Sequence, residues 1–350
     1  IGGAVSGLGI EASSVRHGRV HETVQEMDVL LATGDVLTCT PDNEFNDLFH
    51  GLPNSYGTLG YILKLRAQTL PVTGYVRLRH HRHDNPATFF ADLEAKCHSE
   101  ADFVDGVIFS PDELYVTEAQ HVQGAGAVSD YGYLDIFYRS IREREEDYLT
   151  THDFLWRWDT DWFWCSKNLG MQNPLLRRLA GRRRLNSVTY TKIMRWNARH
   201  GWTDWLDRLR GLHSESVIQD ICIPIGRAAE FLEFLDAEIG IYPIWTCPAR
   251  HHAACPTPLF PMNEPDVLYV DFGFWDVIKI RKAHAPGHFN QLIERKTAEL
   301  GGAKSLYSEA YYDRDEFWSI YNEGHYRELK RKYDPQGRLR DLYEKTVLRA

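Results

Sequence analysis

The residues at the start of the sequence have types and spacing suited to holding an anion. Four glycines, one glutamate and two serines lie in this stretch: Gly2, Gly3, Gly7, Gly9, Glu11, Ser13 and Ser14. Glycine lets the backbone approach a ligand closely, and neighbouring backbone N–H groups can then converge on one anion. Serine hydroxyls both donate and accept hydrogen bonds. The pattern predicts a binding loop for a phosphorylated cofactor.

Two other interpretations of this glycine-rich loop were weighed. A run of glycines is often only a turn. Gly7, Gly9 and Ala12 also imitate a dinucleotide-binding fingerprint, with Asp28 at a suitable distance. That fingerprint needs a strand before it and a helix after it. Only one residue precedes the glycines here, and the segment 13–22 has no helical apolar period. The plain turn therefore stays open, and the dinucleotide fold is disfavoured.

A second set of candidate residues lies towards the end of the chain. The segment Lys304–Tyr312 predicts a strand, in which Tyr307, Glu309 and Tyr311 would share one face because side chains alternate. A tyrosine or glutamate with a suitable pKa can donate a proton in catalysis. The alternative is that these side chains only pack and form hydrogen bonds.

A third set is aromatic. Five rings fall within nine residues: Trp156, Trp158, Trp162, Phe163 and Trp164. Core packing is the usual role of such side chains, but charged residues interleave with them and make joint burial difficult. The cluster therefore favours a wall or lid of an apolar substrate pocket, formed by Trp156, Trp158, Trp162 and Trp164.

Two further clusters could bind lipid or metal. Five arginines alternate with leucines in Pro174–Asn186: Arg177, Arg178, Arg182, Arg183 and Arg184. Such a segment can lie on anionic lipid, so Arg177–Arg184 is the candidate for peripheral membrane contact, although a solvated helix face is the commoner case. The loop Cys247–Cys255 with His251 and His252 offers zinc ligands. Its spacing fits no common pattern, so no metal site is predicted.

Composition excludes some classes of function. The 350 residues are 43% hydrophobic and 25% charged, which is ordinary for a globular protein of two domains. The net charge of -9 argues against a nucleic-acid-binding surface. Six scattered cysteines indicate a reducing, cytoplasmic compartment. No apolar run reaches the ~18 residues of a membrane span.

The segments around the candidate residues predict the elements that would position them. Val24–Thr40 predicts a hairpin with a turn at Thr33–Asp35, and Asn43–Leu52 predicts a short helix. Ser55–Gly60 is a second glycine loop. Tyr61–Ala67 alternates apolar and polar residues, as a strand with one solvated face does.

The remainder predicts two similar units, each a strand, a helix and two strands. The first unit comprises Tyr75–His83, Pro86–Cys97, Asp105–Ser110 and Leu114–Val122. The second comprises Val217–Ile225, Arg227–Gly240, Ile241–Cys247 and Asp266–Trp275, with a helix at Gly287–Leu300 after it. This order predicts one antiparallel sheet covered by helices, which is an α+β fold.

Seven motifs occur in the order found in a known family. They are GxGxExSS (7–14), ATGDVLTCTPDNEFNDLF (32–49), GTLGYIL (57–63), YPIWTCP (242–248), LYVDFG (268–273), LYSEAYYDRDEFW (306–318) and KYDPQGRLRDLYEK (332–345). With these motifs the chain resembles the vanillyl-alcohol-oxidase type (PCMH-type) FAD-binding oxidoreductases. Within that family it is most similar to the Δ24-sterol reductases.

The resemblance implies a domain organisation. Residues 1–73 would be the second half of a PCMH-type FAD-binding domain, without the N-terminal pyrophosphate-loop subdomain that precedes it in the family. Residues 74–312 would form the substrate or cap domain, with an aromatic helical insertion at 129–212. Residues 313–350 would pack back toward the FAD domain.

The resemblance also implies a cofactor and its contacts. The FAD would be held without a covalent bond, since no histidine or cysteine lies in the glycine-rich loop. Its implied contacts are Gly2, Gly3, Gly7, Gly9, Glu11, Ser13, Ser14, Gly18 and Val24, with Gly57 and Gly60 near the isoalloxazine.

The implied reaction is the reduction of an alkene in a sterol-like or isoprenoid-like lipid, with hydride from NADPH passing through flavin N5. Tyr307, Glu309 and Tyr311 are the candidate proton donors for the second alkene carbon. Oxidases of decaprenylphosphoryl-ribose carry a lysine where this chain has Ala310, which argues against sugar oxidation. Two alternatives stay open: an FAD oxidase or dehydrogenase of a lipid-linked sugar or alcohol, and a flavin-free lipid-binding remnant.

Overall fold

A computed structural model describes residues 1–250, 256–262 and 267–349. The chain begins with a small unit of short helices and three strands. Its elements are α1 (Gly2–Ser6), α2 (Ser14–His17), β1 (Val24–Leu30), β2 (Val36–Cys39), α3 (Asn46–Gly51) and β3 (Tyr61–Ala67). The strands form an antiparallel sheet in the order β2-β1-β3. The predicted hairpin is confirmed, because Leu30 pairs with Val36 across the turn.

The next segments contain the first predicted strand–helix–strand–strand unit and then an insertion. The unit consists of β4 (Tyr75–His83), α4 (Pro86–Lys96), β5 (Phe103–Ser110) and β6 (Glu113–Val122). The insertion contains α5 (Phe137–Ser140), β7 (Glu146–Thr150), α6 (Thr151–Leu155), α7 (Pro174–Ala180), α8 (Ser187–His200) and α9 (Trp202–Leu209). Helix α4 begins as predicted, with Pro86 in its first turn and the Asn85 side chain accepting a hydrogen bond from the Thr88 N–H.

The second unit and the C-terminal helices complete the chain. The unit comprises β8 (His213–Pro224), α10 (Ile225–Phe234), β9 (Ile244–Arg250), β10 (Leu268–Ile280), α11 (His288–Glu299) and β11 (Ala303–Lys304). Three helices follow: α12 (Arg314–Ile320), α13 (Glu323–Tyr333) and α14 (Leu342–Thr346). These helices share one core with the small N-terminal unit (residues 1–73), in which Phe317, Tyr326 and Leu342 cluster with Val5 and Phe49.

Both strand–helix–strand–strand units contribute to one large sheet. Its eight strands are antiparallel and run in the order β11-β8-β10-β9-β5-β6-β4-β7. The protein is thus a mixed α and β molecule with a large antiparallel sheet. The edge strand β7 comes from the insertion and pairs with β4 (Tyr75 opposite Thr150), which the sequence did not predict.

The two faces of the large sheet are covered differently. Helices α4, α10 and α11 pack on one face, where Phe89, Phe231 and Ile293 are fully buried. The insertion packs its aromatic residues on part of the other face, where Trp164 and Trp245 belong to a separate core. The remaining part of this second face, along β8 and β10, lines a pocket.

The strand predicted for Lys304–Tyr312 is wrong beyond Lys304. Only Ala303 and Lys304 pair with β8. After them the polar groups of the segment find side-chain and main-chain partners other than a strand: the Tyr311 N–H donates to the Glu294 carboxylate at 3.1 Å, and the Lys304 ammonium donates to the Glu309 carbonyl. With these hydrogen-bonding groups occupied locally, the segment gains nothing from a sheet ladder.

Candidate active site

The glycine-rich loop, the large sheet and the insertion meet at one pocket of about 430 Å³. Gly7–Glu11 forms one side of it, and residues 218–222 of β8 and 271–275 of β10 form its floor. Trp162 and Phe163 close it from the insertion. The volume is that of a small-molecule site, so three distant parts of the sequence build one binding cavity.

The loop is fastened to the large sheet on its far side. The Val104 N–H donates to the Ala12 carbonyl at 2.8 Å, and the Cys247 thiol donates to the Glu11 carbonyl at 3.1 Å. The Gly7 and Gly9 N–H groups donate to carbonyls of α1 at 2.9 and 2.7 Å. These two glycines therefore let the loop close on itself, and their N–H groups are already used.

Arg19 is the group in the pocket best suited to an anion. Its side chain is 2% exposed and lies over the Phe260 ring at 5.2 Å. Its Nε and Nη1 atoms have no hydrogen-bond partner among the described residues. A buried guanidinium with unused donors is costly unless something pairs with it. The site therefore fits a ligand that presents phosphate or carbonyl oxygens to Arg19.

Two carboxylates project from adjacent strands into the same pocket. Asp271 on β10 pairs with Cys222 on β8, and Asp220 lies two residues before Cys222, so both carboxylates are on one face. Gly273 of β10 lies directly opposite Asp220, and a Cβ there would be 3.0 Å from the Asp220 Oδ1 atom and 3.1 Å from the Trp275 ring. Glycine at 273 is needed to make room for Asp220 and the indole together.

The environment makes this carboxylate pair hold a proton. Burial raises the pKa of Asp220 to about 6, opposed by a hydrogen bond from the Tyr307 hydroxyl. Burial, and then the charge of Asp220, raise the pKa of Asp271 well above its usual range. Asp271 is 1% exposed, its Oδ1 accepts from the Cys222 thiol at 3.2 Å, and its Oδ2 has no hydrogen-bond partner among the described residues. Near neutral pH the pair can therefore donate a proton.

Trp162, Phe163 and Trp164 form a strained turn that supplies the apolar wall. All three residues have positive φ (46°, 48° and 58°), which costs non-glycine residues about 1–2 kcal/mol each. Packing compensates for this strain: Trp164 stacks on Trp275 with ring centroids 5.0 Å apart, and the Trp275 indole donates to the Phe163 carbonyl at 2.7 Å.

The four tryptophans predicted to line a pocket separate in the structure. Trp162 lines the pocket and stacks on Tyr190. Trp164 is 0% exposed and lies behind the wall, and Trp158 is buried in the core of the insertion. Trp156 is 59% exposed and lines a different surface pocket.

The three predicted proton donors also separate. Tyr307 lines the pocket, where burial and the neighbouring Asp220 charge raise the pKa of its hydroxyl. Glu309 accepts from the Tyr311 hydroxyl at 2.8 Å and pairs with Arg349 at 3.0 Å, so these side chains interact with each other and the C-terminal segment. Ala310 is buried in the core that the N-terminal unit shares with the C-terminal helices.

The predicted FAD contacts fall into three groups. Gly7, Gly9 and Glu11 line the pocket. Gly2 and Gly3 lie in α1, Ser13 and Ser14 begin α2, Gly18 ends it with a φ of +74°, and Val24 begins β1. Gly57 lines a separate pocket of about 250 Å³ beside Arg338 and Lys345. Gly60 packs against Val29, with no room for a Cβ.

The lipid and metal candidates have the following places. Arg177 is 0% exposed and donates to the Tyr133 carbonyl, so it is not available to a membrane, whereas Arg178, Arg183 and Arg184 are exposed. No group of three metal-ligating side chains comes together within residues 1–250, 256–262 and 267–349. His251, His252 and Cys255 lie outside the described residues. In the described part of the chain, none of the helices is both long and apolar enough to cross a bilayer.

Sequence reasoning missed Arg19, Asp220 and Asp271. A signal existed for the two aspartates, because each stands within a mostly apolar β-rich run, at VIQDICIPI and LYVDFGFW. A charge in a buried strand costs free energy unless it is used or paired. Arg19 gave no comparable signal, because an arginine in a polar loop is ordinary.

The chain is similar over its full length to curated proteins. It is 26% identical to the Delta(24)-sterol reductase of Rattus norvegicus over 372 residues, covering 100% of this chain and 68% of that protein. It is 25% identical to the Delta(24)-sterol reductase of Arabidopsis thaliana, covering 99% and 67%. A shorter match of 113 residues is 34% identical to cytokinin dehydrogenase 7 of Oryza sativa subsp. japonica, covering 31% of this chain and 21% of that protein.

No family model matches the chain. The pairwise similarities nevertheless extend through every motif on which the predicted resemblance depends, and they recur in the animal and plant proteins. They confirm the predicted resemblance to the Delta(24)-sterol reductases.

Proposed function

We propose that the protein is an FAD-dependent oxidoreductase that reduces an alkene in a hydrophobic, sterol-like or isoprenoid-like lipid. One observation carries the proposal: a single pocket joins a glycine-rich loop, an unpaired buried arginine, a proton-holding carboxylate pair and an aromatic wall. Each component answers one requirement of alkene reduction.

The first requirement is to hold the cofactor. Gly7–Glu11 and Arg19 would contact its polar oxygens, and the predicted contacts in α1 and α2 would flank the loop. Bound FAD would supply hydride equivalents at N5, and NADPH is the proposed electron donor on the strength of the family resemblance. In this proposal the N-terminal unit (residues 1–73) is part of the FAD-binding domain, and residues 74–312 are the cap. Residues 313–350 pack back on the N-terminal unit.

The second requirement is to hold an alkene, which offers no polar group for recognition. The pocket meets it with Trp162, Phe163, Trp245 and Trp275. Trp245 is itself fixed, because its indole donates to the buried Asp105 carboxylate at 3.2 Å, and Asp105 pairs with Arg157 at 3.3 Å. The rings exclude water from the reacting carbons and leave orientation to shape.

The third requirement is a proton for the second alkene carbon. Addition of hydride to one carbon must be balanced by one proton on the other. Tyr307 is the proposed donor at the pocket, and the pair of Asp220 and Asp271, whose pKa values are raised by burial, would restore its proton. Glu309 and Tyr311 act in this proposal only by positioning the segment that carries Tyr307.

Spectroscopy and single turnover test the function. Purified protein should show flavin absorption, NADPH should bleach it without oxygen, and a Δ24 sterol should restore it. Tyr307→Phe should keep the absorption and slow the restoration, whereas Tyr311→Phe, outside the pocket, should change it much less. Bleaching by a lipid-linked alcohol in place of NADPH would favour the oxidase alternative.

A flavin-free lipid-binding protein is the second candidate function. It is favoured by the internal use of the Gly7 and Gly9 N–H groups, which leaves the loop with fewer donors for a phosphate. Under this alternative the protein shows no flavin absorption after incubation with FAD but still binds a fluorescent sterol, and Trp162→Ala weakens that binding.

A further inference from the structure

Helix α9 buries Asp207 against the protein and presents apolar side chains to water. Asp207 is 2% exposed and pairs with Lys279 of β10 at 2.9 Å. Trp202, Trp205, Leu206 and Leu209 have the i, i+3, i+4, i+7 spacing of an apolar stripe, and each is at least 41% exposed. In a helix that packs on its own protein, such a stripe faces the core. This stripe has no covering partner among the described residues.

The neighbouring helix α8 extends the same apolar surface. Ile193 and Trp196 are 42% and 53% exposed. Trp196 stacks on Trp202 with ring centroids 6.3 Å apart, and Trp202 meets Trp205 edge to face at 6.1 Å. We call Ile193, Trp196, Trp202, Trp205, Leu206 and Leu209 the α8–α9 surface. Exposed aromatic patches of this kind mark interaction sites.

The charge around this surface is opposite to that of the whole protein. Residues 174–212 contain ten arginines or lysines and two aspartates, while the chain as a whole carries -9. Arg178, Lys192, Arg195, Arg199 and Arg210 are exposed. None of these five has an ion-pair partner among the described residues, and the same holds for Arg183 and Arg184. The cations are thus free to meet an anionic partner.

We propose that the α8–α9 surface docks on the face of an anionic phospholipid bilayer. Tryptophan and leucine enter the interface between headgroups and acyl chains, and arginines around them contact lipid phosphates. A second copy of the chain is a poorer partner, because a symmetric contact would bring two strongly basic segments together. The proposal does not depend on the enzymatic function.

The position of the surface gives the docking a consequence. Met194 of α8 lines the pocket, and Tyr190 of the same helix stacks on Trp162. One helix therefore carries both the proposed membrane contact and part of the pocket wall. A lipid leaving the bilayer would meet the pocket within the length of α8.

Vesicle sedimentation tests the proposal with the full chain. Vesicles of phosphatidylcholine containing about 30% phosphatidylserine should pellet the protein at low salt, and high salt or pure phosphatidylcholine should release most of it. Trp196→Ser/Trp202→Ser/Trp205→Ser should lower the partition coefficient at least about tenfold. The matched control Leu63→Ser/Val72→Ser removes exposed apolar side chains of the N-terminal unit. It should leave the partition coefficient unchanged.

A second variant covers the case in which the triple variant fails to fold. Arg195→Glu/Arg199→Glu keeps every tryptophan and should also lower the partition coefficient, with thermal melting as the check on folding. Wild-type protein that stays in the supernatant, or variants that pellet like it, would overturn the proposal. So would gel filtration showing a wild-type dimer that the tryptophan variant converts to a monomer, since a second copy would then cover the surface.

Discussion

Two tryptophan clusters of this protein are alike in sequence and opposite in environment. The cluster around Trp164 stacks on Trp275 and closes the pocket, with Trp164 wholly buried. The cluster around Trp202 has its rings at least half exposed. Both also contain stacked and edge-to-face ring pairs.

The difference lies in what holds each cluster in place. The Trp164 cluster keeps three consecutive residues at positive φ, which only dense packing can maintain. Helix α9 is instead tied to β10 by the Asp207–Lys279 ion pair, so its rings contribute little to its placement. Removal of a buried ring that supports the fold should therefore lower the stability, whereas removal of an exposed ring should change the stability little.

The largest effect should come from Trp164→Ala. Removal of a wholly buried indole should lower the free energy of unfolding by about 3–5 kcal/mol, because it leaves a cavity in the core. Urea unfolding followed by circular dichroism measures this loss. A loss below about 1 kcal/mol would show that the Trp164 cluster is as dispensable as the exposed one.

Asp220 and Asp271 should give the next largest effect, through pH. Each pKa is raised in the folded state, so the folded protein binds protons more tightly than the unfolded chain, and stability should fall as pH rises from about 4. For Asp220 this loss should level off above about pH 6 and amount to about 1–3 kcal/mol.

Asp220→Asn/Asp271→Asn should flatten that dependence, and urea unfolding at several pH values measures it. Asp28→Asn on the three-stranded sheet is the control and should keep the wild-type slope. An unchanged slope in the double variant would mean that the pocket floor does not hold the proton.

Trp162→Ala should separate binding from stability within the first cluster. Trp162 lines the pocket, so a sterol-like lipid should bind about tenfold more weakly, a change of about 1.4 kcal/mol. The free energy of unfolding should fall by less than for Trp164→Ala. Titration with a fluorescent sterol measures the binding affinity. Equal affinity in the variant and the wild type would show that Trp162 does not contact the bound lipid.

Trp205→Ser should have the smallest effect on stability. Its ring is 55% exposed, so the free energy of unfolding should change by no more than about 0.5 kcal/mol. Urea unfolding without lipid is the measurement. A loss of several kcal/mol would show that the exposed cluster also holds the fold and would erase the contrast between the two.

Local patterns were enough to predict most elements. The hairpin at 24–40, helix α4 with its proline start, and the β5–β6 hairpin follow from alternation, capping and turn residues within a few positions of one another. The motifs that suggested the family are also local strings. Such local strings are informative because capping hydrogen bonds and the alternation of side chains depend on residues that are close together in the sequence.

The elements that local patterns did not predict depend on contacts with residues that are distant in the sequence. The segment after Lys304 has a strand-like composition, but Glu294 and a neighbouring carbonyl had already taken its hydrogen-bonding groups. Strand β7 joined β4 because the insertion brought it to an open edge. Neither outcome can be read from the residues concerned, since the partner that decides it lies elsewhere in the chain.

The sequence by itself determined the family resemblance, the composition of the glycine-rich loop and the presence of two aromatic clusters. The tertiary structure alone decided that Asp220 and Asp271 share one pocket floor, that Arg19 faces them, and that Trp164 is buried while Trp202 is exposed. The physical reason is that the free energy of a carboxylate or an indole depends on the atoms around it. Those atoms come from distant parts of the chain, so the sequence near the residue does not determine its burial.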